Sequence, residues 1–112
     1  MLTLAVDTSA VTATAALADG DALIAQTSVD GAKTHSETLL PAVAQMMESA
    51  HILPQDIELY ACTVGPGSFT GIRIGVSAVK GLAFGRGKPC VALCSVDVLA
   101  ENLRGVPDIL VC

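Results

Sequence analysis

Tryptophan is absent, tyrosine occurs once and phenylalanine twice, so aromatics make up only 3% of these 112 residues. A core must therefore be assembled from Ala, Val, Leu and Ile, and its elements must pack closely because the average side chain is small. Charge is also sparse, at 15%. The 52% of hydrophobic residues nevertheless excludes a disordered chain, which buries too little apolar surface to offset its entropy. A long hydrophobic run is missing as well. The longest stretch without a charge is 59–72, and Gly65-Pro66-Gly67 interrupts it, whereas a spanning helix needs about 20 apolar residues. The start, 1–6, is apolar but lacks a basic flank and runs into Asp7, unlike an export signal. These absences predict a cytoplasmic protein with no membrane association.

Cations are scarce: Lys and Arg total 6 against 11 Asp and Glu, for a net charge of −5. Such a surface repels phosphate backbones, so the chain by itself is a poor nucleic-acid binder. The acidic residues are scattered, which argues against an interaction tail. There is no Cys-x-x-Cys motif among Cys62, Cys90, Cys94 and Cys112. The first three sit in apolar, strand-like stretches and read as buried thiols acting as small hydrophobes in a reducing compartment. Their spacing suits neither a zinc site nor a disulfide framework.

The pattern along the chain predicts an α/β fold. Residues 1–7 are β-rich, 12–17 alternate Thr with Ala, and 22–29 return after the tight-turn signal Asp19-Gly20-Asp21. Three strands joined by short turns form an antiparallel meander. Thr34 and Glu37 fit a capping box. Leu39, Leu40, Val43, Met46, Met47 and Ala50 follow at helical spacing. Pro41 predicts either a kink or a later start of the regular helix, and His51 near its end suits the helix dipole. Then come a buried strand at 58–64, a glycine-rich loop at 65–71, a helix at 72–84 broken by Pro89, and a short strand at 90–93. A short helix at 96–103 stops at Gly105 and Pro107, and 108–112 opens another strand. The expected architecture is a mixed sheet with three antiparallel strands first and helices on its faces. Residues 1–107 read as one domain and 108–112 as the start of a second, missing one, as in a truncated chain.

Two segments could carry chemistry. Asp7-Thr8-Ser9 ends the first strand. A carboxylate followed by hydroxyls there can hold a hydrated metal and contact phosphates, or simply form a polar turn. The segment 65–71, Gly-Pro-Gly-Ser-Phe-Thr-Gly, precedes a helix whose first N–H groups suit an anion. It has neither the Gly-Lys-Ser/Thr of a Walker loop nor the dinucleotide fingerprint, and Ser68 or Thr70 could serve as an N-cap. Asp7, Thr8, Ser9, Gly65, Gly67, Ser68 and Thr70 are the candidate remnant of a phosphate loop. His35, Ser36 and Glu37 adjoin in sequence and cannot face one another as a catalytic triad, so no catalytic residue is assigned.

In the helix that follows, Gly71, Gly75, Ala78, Gly81 and Gly85 form a stripe almost without side chains. Each interior Gly costs about 1 kcal/mol relative to Ala, which the close approach of another backbone can offset. Ile72, Val76, Val79 and Ala83 form an apolar stripe beside it, leaving only Arg73, Ser77 and Lys80 as a polar line. A helix of this kind is buried on most sides, either in part against a partner, the reading favoured here, or entirely against its own sheet. The expected interface combines this stripe with Leu39, Val43, Met46 and Met47. Replacing Gly75 or Gly81 with Leu is expected to weaken association and leave the fold intact.

Asp7-Thr8-Ser9, the helix start His35-Ser36-Glu37 with Leu39-Leu40-Pro41, and residues 65–75 (GPGSFTGIRIG) with Lys80-Gly81-Leu82-Ala83 together resemble the bacterial TsaB family, also called YeaZ. The resemblance covers the whole chain, but only the N-terminal half of a family member. It implies an actin-like ATPase domain of ribonuclease-H-like fold. The implied role is in making threonylcarbamoyladenosine beside the anticodon of tRNA, as a non-catalytic scaffold or activator of the paralogous TsaD-type enzyme, together with a TsaE-type ATPase. The small face of the glycine-striped helix predicts that, when this partner is absent, the same surface pairs two copies as a homodimer. Because the phosphate-loop features survive only in part, ATP is expected to bind weakly or through the complex, with no cofactor required by this chain and tRNA contact only through the complex. The His-x-x-x-His metal pair of the TsaD-type enzyme corresponds to Ser95 and Leu99. Neither replaces an imidazole ligand, so neither a bound metal nor peptidase chemistry is expected. The alternative, of a different class, is a nucleotide-binding enzyme of the actin-like superfamily, ATPase or kinase-like.

Overall fold

The computed structural model describes residues 1–8, 12–20, 22–29, 35–65 and 69–94, without the side chains of 35–37 and 69–70. The expected elements at 96–103 and 108–112, the Thr34–Glu37 capping box, and Ser95 and Leu99 lie outside the described residues.

Alternation of burial builds the meander. In β2 (Ala13–Asp19), Ala13, Ala15 and Leu17 are buried while Thr14 is exposed, the period-2 pattern of a strand with one covered face. It pairs antiparallel with β1 (Leu2–Asp7) on one side and β3 (Ala22–Val29) on the other. Two further strands, β4 (Leu59–Gly65) and β5 (Cys90–Cys94), extend the sheet in parallel beyond β1, in the order β3-β2-β1-β4-β5. The meander comes first and the sheet is mixed, as the sequence pattern predicts.

Helices α1 (His35–Ser49) and α2 (Phe69–Arg86) pack on the sheet face that carries Leu4, Val6, Leu17, Tyr60 and Cys62. α1 lies over β2 and β3, and α2 over β1, β4 and β5. Aliphatic and small residues fill this core, with Tyr60 as its one aromatic among the described buried side chains. α1 runs on through Pro41, so the helix is not delayed until after the proline. α2 begins at Phe69, three residues before the predicted start, which shortens the glycine-rich loop.

The expectation of buried thiols holds for Cys62 and fails for Cys90 and Cys94, which are exposed. Among the described residues β5 lies at the edge of the sheet and is exposed along its whole length, so an apolar sequence there does not imply burial.

The two helices end alike but with different residues. After α2, Gly87 has φ 64°, Gly87 N–H donates to Phe84 C=O (3.2 Å) and Lys88 N–H to Ala83 C=O (2.9 Å). After α1 the same pair of bonds runs from His51 N–H to Glu48 C=O (3.1 Å) and from Ile52 N–H to Met47 C=O (2.9 Å), with His51 at φ 58°. The left-handed position favours glycine because Cβ crowds the next carbonyl. His51 is therefore placed by the cap geometry, at a cost, rather than by the dipole alone. His51→Gly is expected to stabilise the fold by about 0.5–1 kcal/mol, the relief of that crowding less the entropy a glycine adds to the unfolded chain. Chemical denaturation of the two proteins checks this, and a loss of stability would contradict it.

Candidate functional site

The ends of β1 and β4 meet because the two strands are parallel and in register, Val6 opposite Cys62. That brings Asp7 beside Thr63, whose Oγ1 donates to Asp7 Oδ1 at 2.7 Å. Thr63 is buried, and the carboxylate gives its hydroxyl the partner that a buried donor requires. One residue further, buried Thr8 donates through Oγ1 to the carbonyl of Gly71 in the first turns of α2. Gly75, one turn on, lies directly over Thr8: a Cβ there would stand 3.2 Å from Thr8 Cγ2, 3.3 Å from Thr8 Cβ and closer still to Oγ1. Gly65 ends β4 at φ 125°, a backbone region open to glycine. The start of α2 is thus seated on the strand ends through groups too small to hold it away.

Of the candidate phosphate-loop residues, Asp7, Thr8 and Gly65 gather at this strand end, with Gly71 above them. Ser9, Gly67 and Ser68 lie outside the described residues, as does the side chain of Thr70. Asp7 and Thr63 line a concavity of about 890 Å³ on the sheet face away from the helices, together with Thr14, Gln26 and Ser28 on the neighbouring strands. Sequence reading did not single out Thr63, and no local signal marks it, since only the β1–β4 register places it beside Asp7. Among the described residues no group of three or more His, Cys, Asp or Glu is placed to hold a metal ion.

The expected partner interface divides. Leu39, Val43, Met46 and Met47 are 2–8% exposed and belong to the chain's own core, because its own sheet covers the apolar face of α1. Gly71 and Gly75 are also buried, against β1 rather than a partner. In α2 the buried line is Gly71, Gly75, Val79 and Ala83, at a uniform spacing of four. Ala78 is half-buried, and the stripe turns outward at Gly81 and Gly85, where an added Cβ would meet nothing within 4 Å.

Among the described residues an apolar groove of about 450 Å³ lies open on the helical layer between α1 and α2. Tyr60 and Leu82 line it, exposed Leu40 and Leu53 border it, and among the described residues Arg86 is its one cation. Burial pushes the Tyr60 phenol upward from 10.0, and its hydrogen bond and proximity to Arg86 oppose this. Phe84 is 90% exposed and was absent from the expected interface. It falls four residues after Lys80 and seven after Ser77, so an aromatic on the polar line of the helix was the legible signal.

The chain matches the model of the TsaD family, tRNA N6-adenosine threonylcarbamoyltransferase, over residues 29–112. It is 39% identical over 104 residues to the tRNA threonylcarbamoyladenosine biosynthesis protein TsaB of Bacillus subtilis, a match covering 93% of this chain and 45% of that protein. The solved structure of YeaZ from Pseudomonas aeruginosa superposes with a TM-score of 0.84 at 31% identity, over 90% of this chain and 47% of that one. The chain belongs to the TsaB/YeaZ family. Its fold is the actin-like, ribonuclease-H-like one that the motifs implied. It spans about half the length of these relatives. A tRNA N6-adenosine threonylcarbamoyltransferase of Jannaschia sp. is 44% identical over 62 residues, or 55% of this chain and 17% of that enzyme. Similarity thus extends to the TsaD-type enzymes. Among the described residues no helix of this family member is long and apolar enough to cross a membrane.

Proposed function

We propose that this TsaB/YeaZ family member acts in threonylcarbamoyladenosine formation on tRNA as a non-catalytic scaffold or activator that docks on a TsaD-type enzyme. The groove between α1 and α2 carries this reading. It is apolar, open to solvent and flanked by Gly81 and Gly85, where a partner backbone can approach closely. Exposed apolar surface of this kind marks a protein-binding site. A TsaE-type ATPase completes the assembly, tRNA is reached through the complex, and in the absence of the enzyme the same surface pairs two copies of the chain. ATP is bound weakly or through the complex, this chain requires no cofactor or metal, and the protein works in the cytoplasm.

Leu40→Glu combined with Leu53→Glu places charge on the rim of the groove without touching the core. In the full-length protein it is expected to weaken association with the TsaD-type enzyme at least about tenfold, as when a central apolar contact is lost, with the melting temperature unchanged. Titration calorimetry reads the affinity, and unchanged binding by a folded variant would remove the groove from the interface.

A second reading, an actin-like nucleotide-binding enzyme, rests on Asp7 and Thr63 at the mouth of the 890 Å³ concavity. ATP turnover with magnesium by the full-length protein, abolished by Asp7→Ala, would favour it over the scaffold role.

A further inference from the structure

We propose that the groove between α1 and α2 accepts a second copy of this chain about a twofold axis running along the helices, with Glu48 of each copy paired to Arg86 of the other. This rests on the groove being the docking surface proposed for the enzyme, and adds the contacts that orient a second copy there. The groove is apolar except for two charges of opposite sign. Among the described residues only Glu48 on α1 and Arg86 on α2 carry charge along it. Both are exposed, and no ion pair joins them within the chain.

Topology sets the two charges level. β1 and β3 both run antiparallel to β2, and β4 and β5 run parallel to β1. Hence α1 returns between the parallel strands β3 and β4, and α2 between β4 and β5. Both helices run against those strands, so they finish at the same end of the sheet. Glu48 immediately precedes the last residue of α1, and Arg86 is the last residue of α2. A twofold rotation about an axis parallel to the helices lays each α1 over the other copy's α2 and keeps these ends level. Glu48 then meets Arg86 at two equivalent places, because a twofold contact is reciprocal. An axis across the helices would lay α1 against α1 and part the charges. Glu48 also breaks a local rule. The C-terminal end of a helix favours a cation, yet α1 carries this acid there and no basic residue in its last turn. Arg86 of a second copy supplies the missing cation. The apolar walls provide the buried area, and the ion pairs select the orientation.

Sedimentation equilibrium of the full-length protein without the enzyme tests the pairing. The parent is expected to form dimers that weaken as salt is added. Arg86→Glu sets acid against acid at both contacts, and Glu48→Arg sets cation against cation. Each variant is expected to keep its fold, checked by circular dichroism, and to self-associate at least about tenfold more weakly, since like charges across an interface repel. Mixed in equal amounts, the two variants are expected to pair with each other as tightly as the parent does, because both contacts again join opposite charges. A monomeric parent, parent-strength dimers of either variant alone, or no association in the mixture would each overturn the pairing. Leu40→Glu with Leu53→Glu separates this from the docking role. If it loses both the dimer and the enzyme, the groove is the docking surface and the charge variants alone decide the pairing. If it keeps both, the docking role fails and the pairing with it.

Discussion

Gly75→Leu is expected to destabilise the fold by about 2–5 kcal/mol, combining overpacking with the loss of a buried hydrogen bond. Any side chain at this position drives into Thr8, which is 1% exposed and has no room to move. Displacing Thr8 also breaks its bond to the Gly71 carbonyl, which anchors the first turns of α2 to the end of β1. Against a typical domain stability of about 5–15 kcal/mol, the loss is a large share of the whole. This reverses the expectation drawn from the glycine stripe, in which the substitution spares the fold and weakens only association. Gly81→Leu separates the two effects, since nothing lies within 4 Å of the added carbon. It is expected to melt within about 0.5 kcal/mol of the parent chain, as surface changes do, while weakening partner binding. Urea titrations of both variants decide the matter. If Gly75→Leu proves as stable as Gly81→Leu, α2 is not seated on Thr8.

Tyr60→Ala is the second large effect, an expected loss of about 3–5 kcal/mol from cavity formation around an aromatic core residue. Tyr60 is 1% exposed, the bulkiest of the fully buried side chains, and its ring floors the groove between the helices. Tyr60→Phe keeps the ring and removes only the hydroxyl that meets Arg86. Its expected cost is about 0.5–1.5 kcal/mol, that of one hydrogen bond. The phenol also gives a pH signature. Its upward shift means the folded state holds the proton more tightly, so its contribution is complete below the ordinary tyrosine range and fades as pH climbs through it. The alkaline limb of the stability curve is expected to flatten in Tyr60→Phe, and an unchanged limb would show that this phenol does not contribute there. Cys62, which shifts in the same direction, contributes to the same alkaline limb in the variant.

The sequence by itself determined the order and type of the described elements. Period-2 alternation in 13–17, the Asp19-Gly20-Asp21 turn and the helical spacing from Leu39 to Ala50 are local signals, set by backbone geometry and by which face must be apolar. It also gave the family, because residues 65–75 are a dense run of glycine and small residues in one order. The tertiary structure alone decided which apolar positions meet the chain's own sheet and which meet solvent. Leu39, Val43, Met46 and Met47 look no different in sequence from Leu40 or Leu53, yet the sheet covers the first four and leaves the other two at the groove rim. The glycine stripe split for the same reason: the fold needs a glycine at Gly75 because Thr8 lies beneath it, and does not need one at Gly81, where an added Cβ meets nothing within 4 Å. The placing of Thr63 beside Asp7 is a product of strand register. Register is fixed by contacts between residues far apart in the chain, which no local pattern encodes.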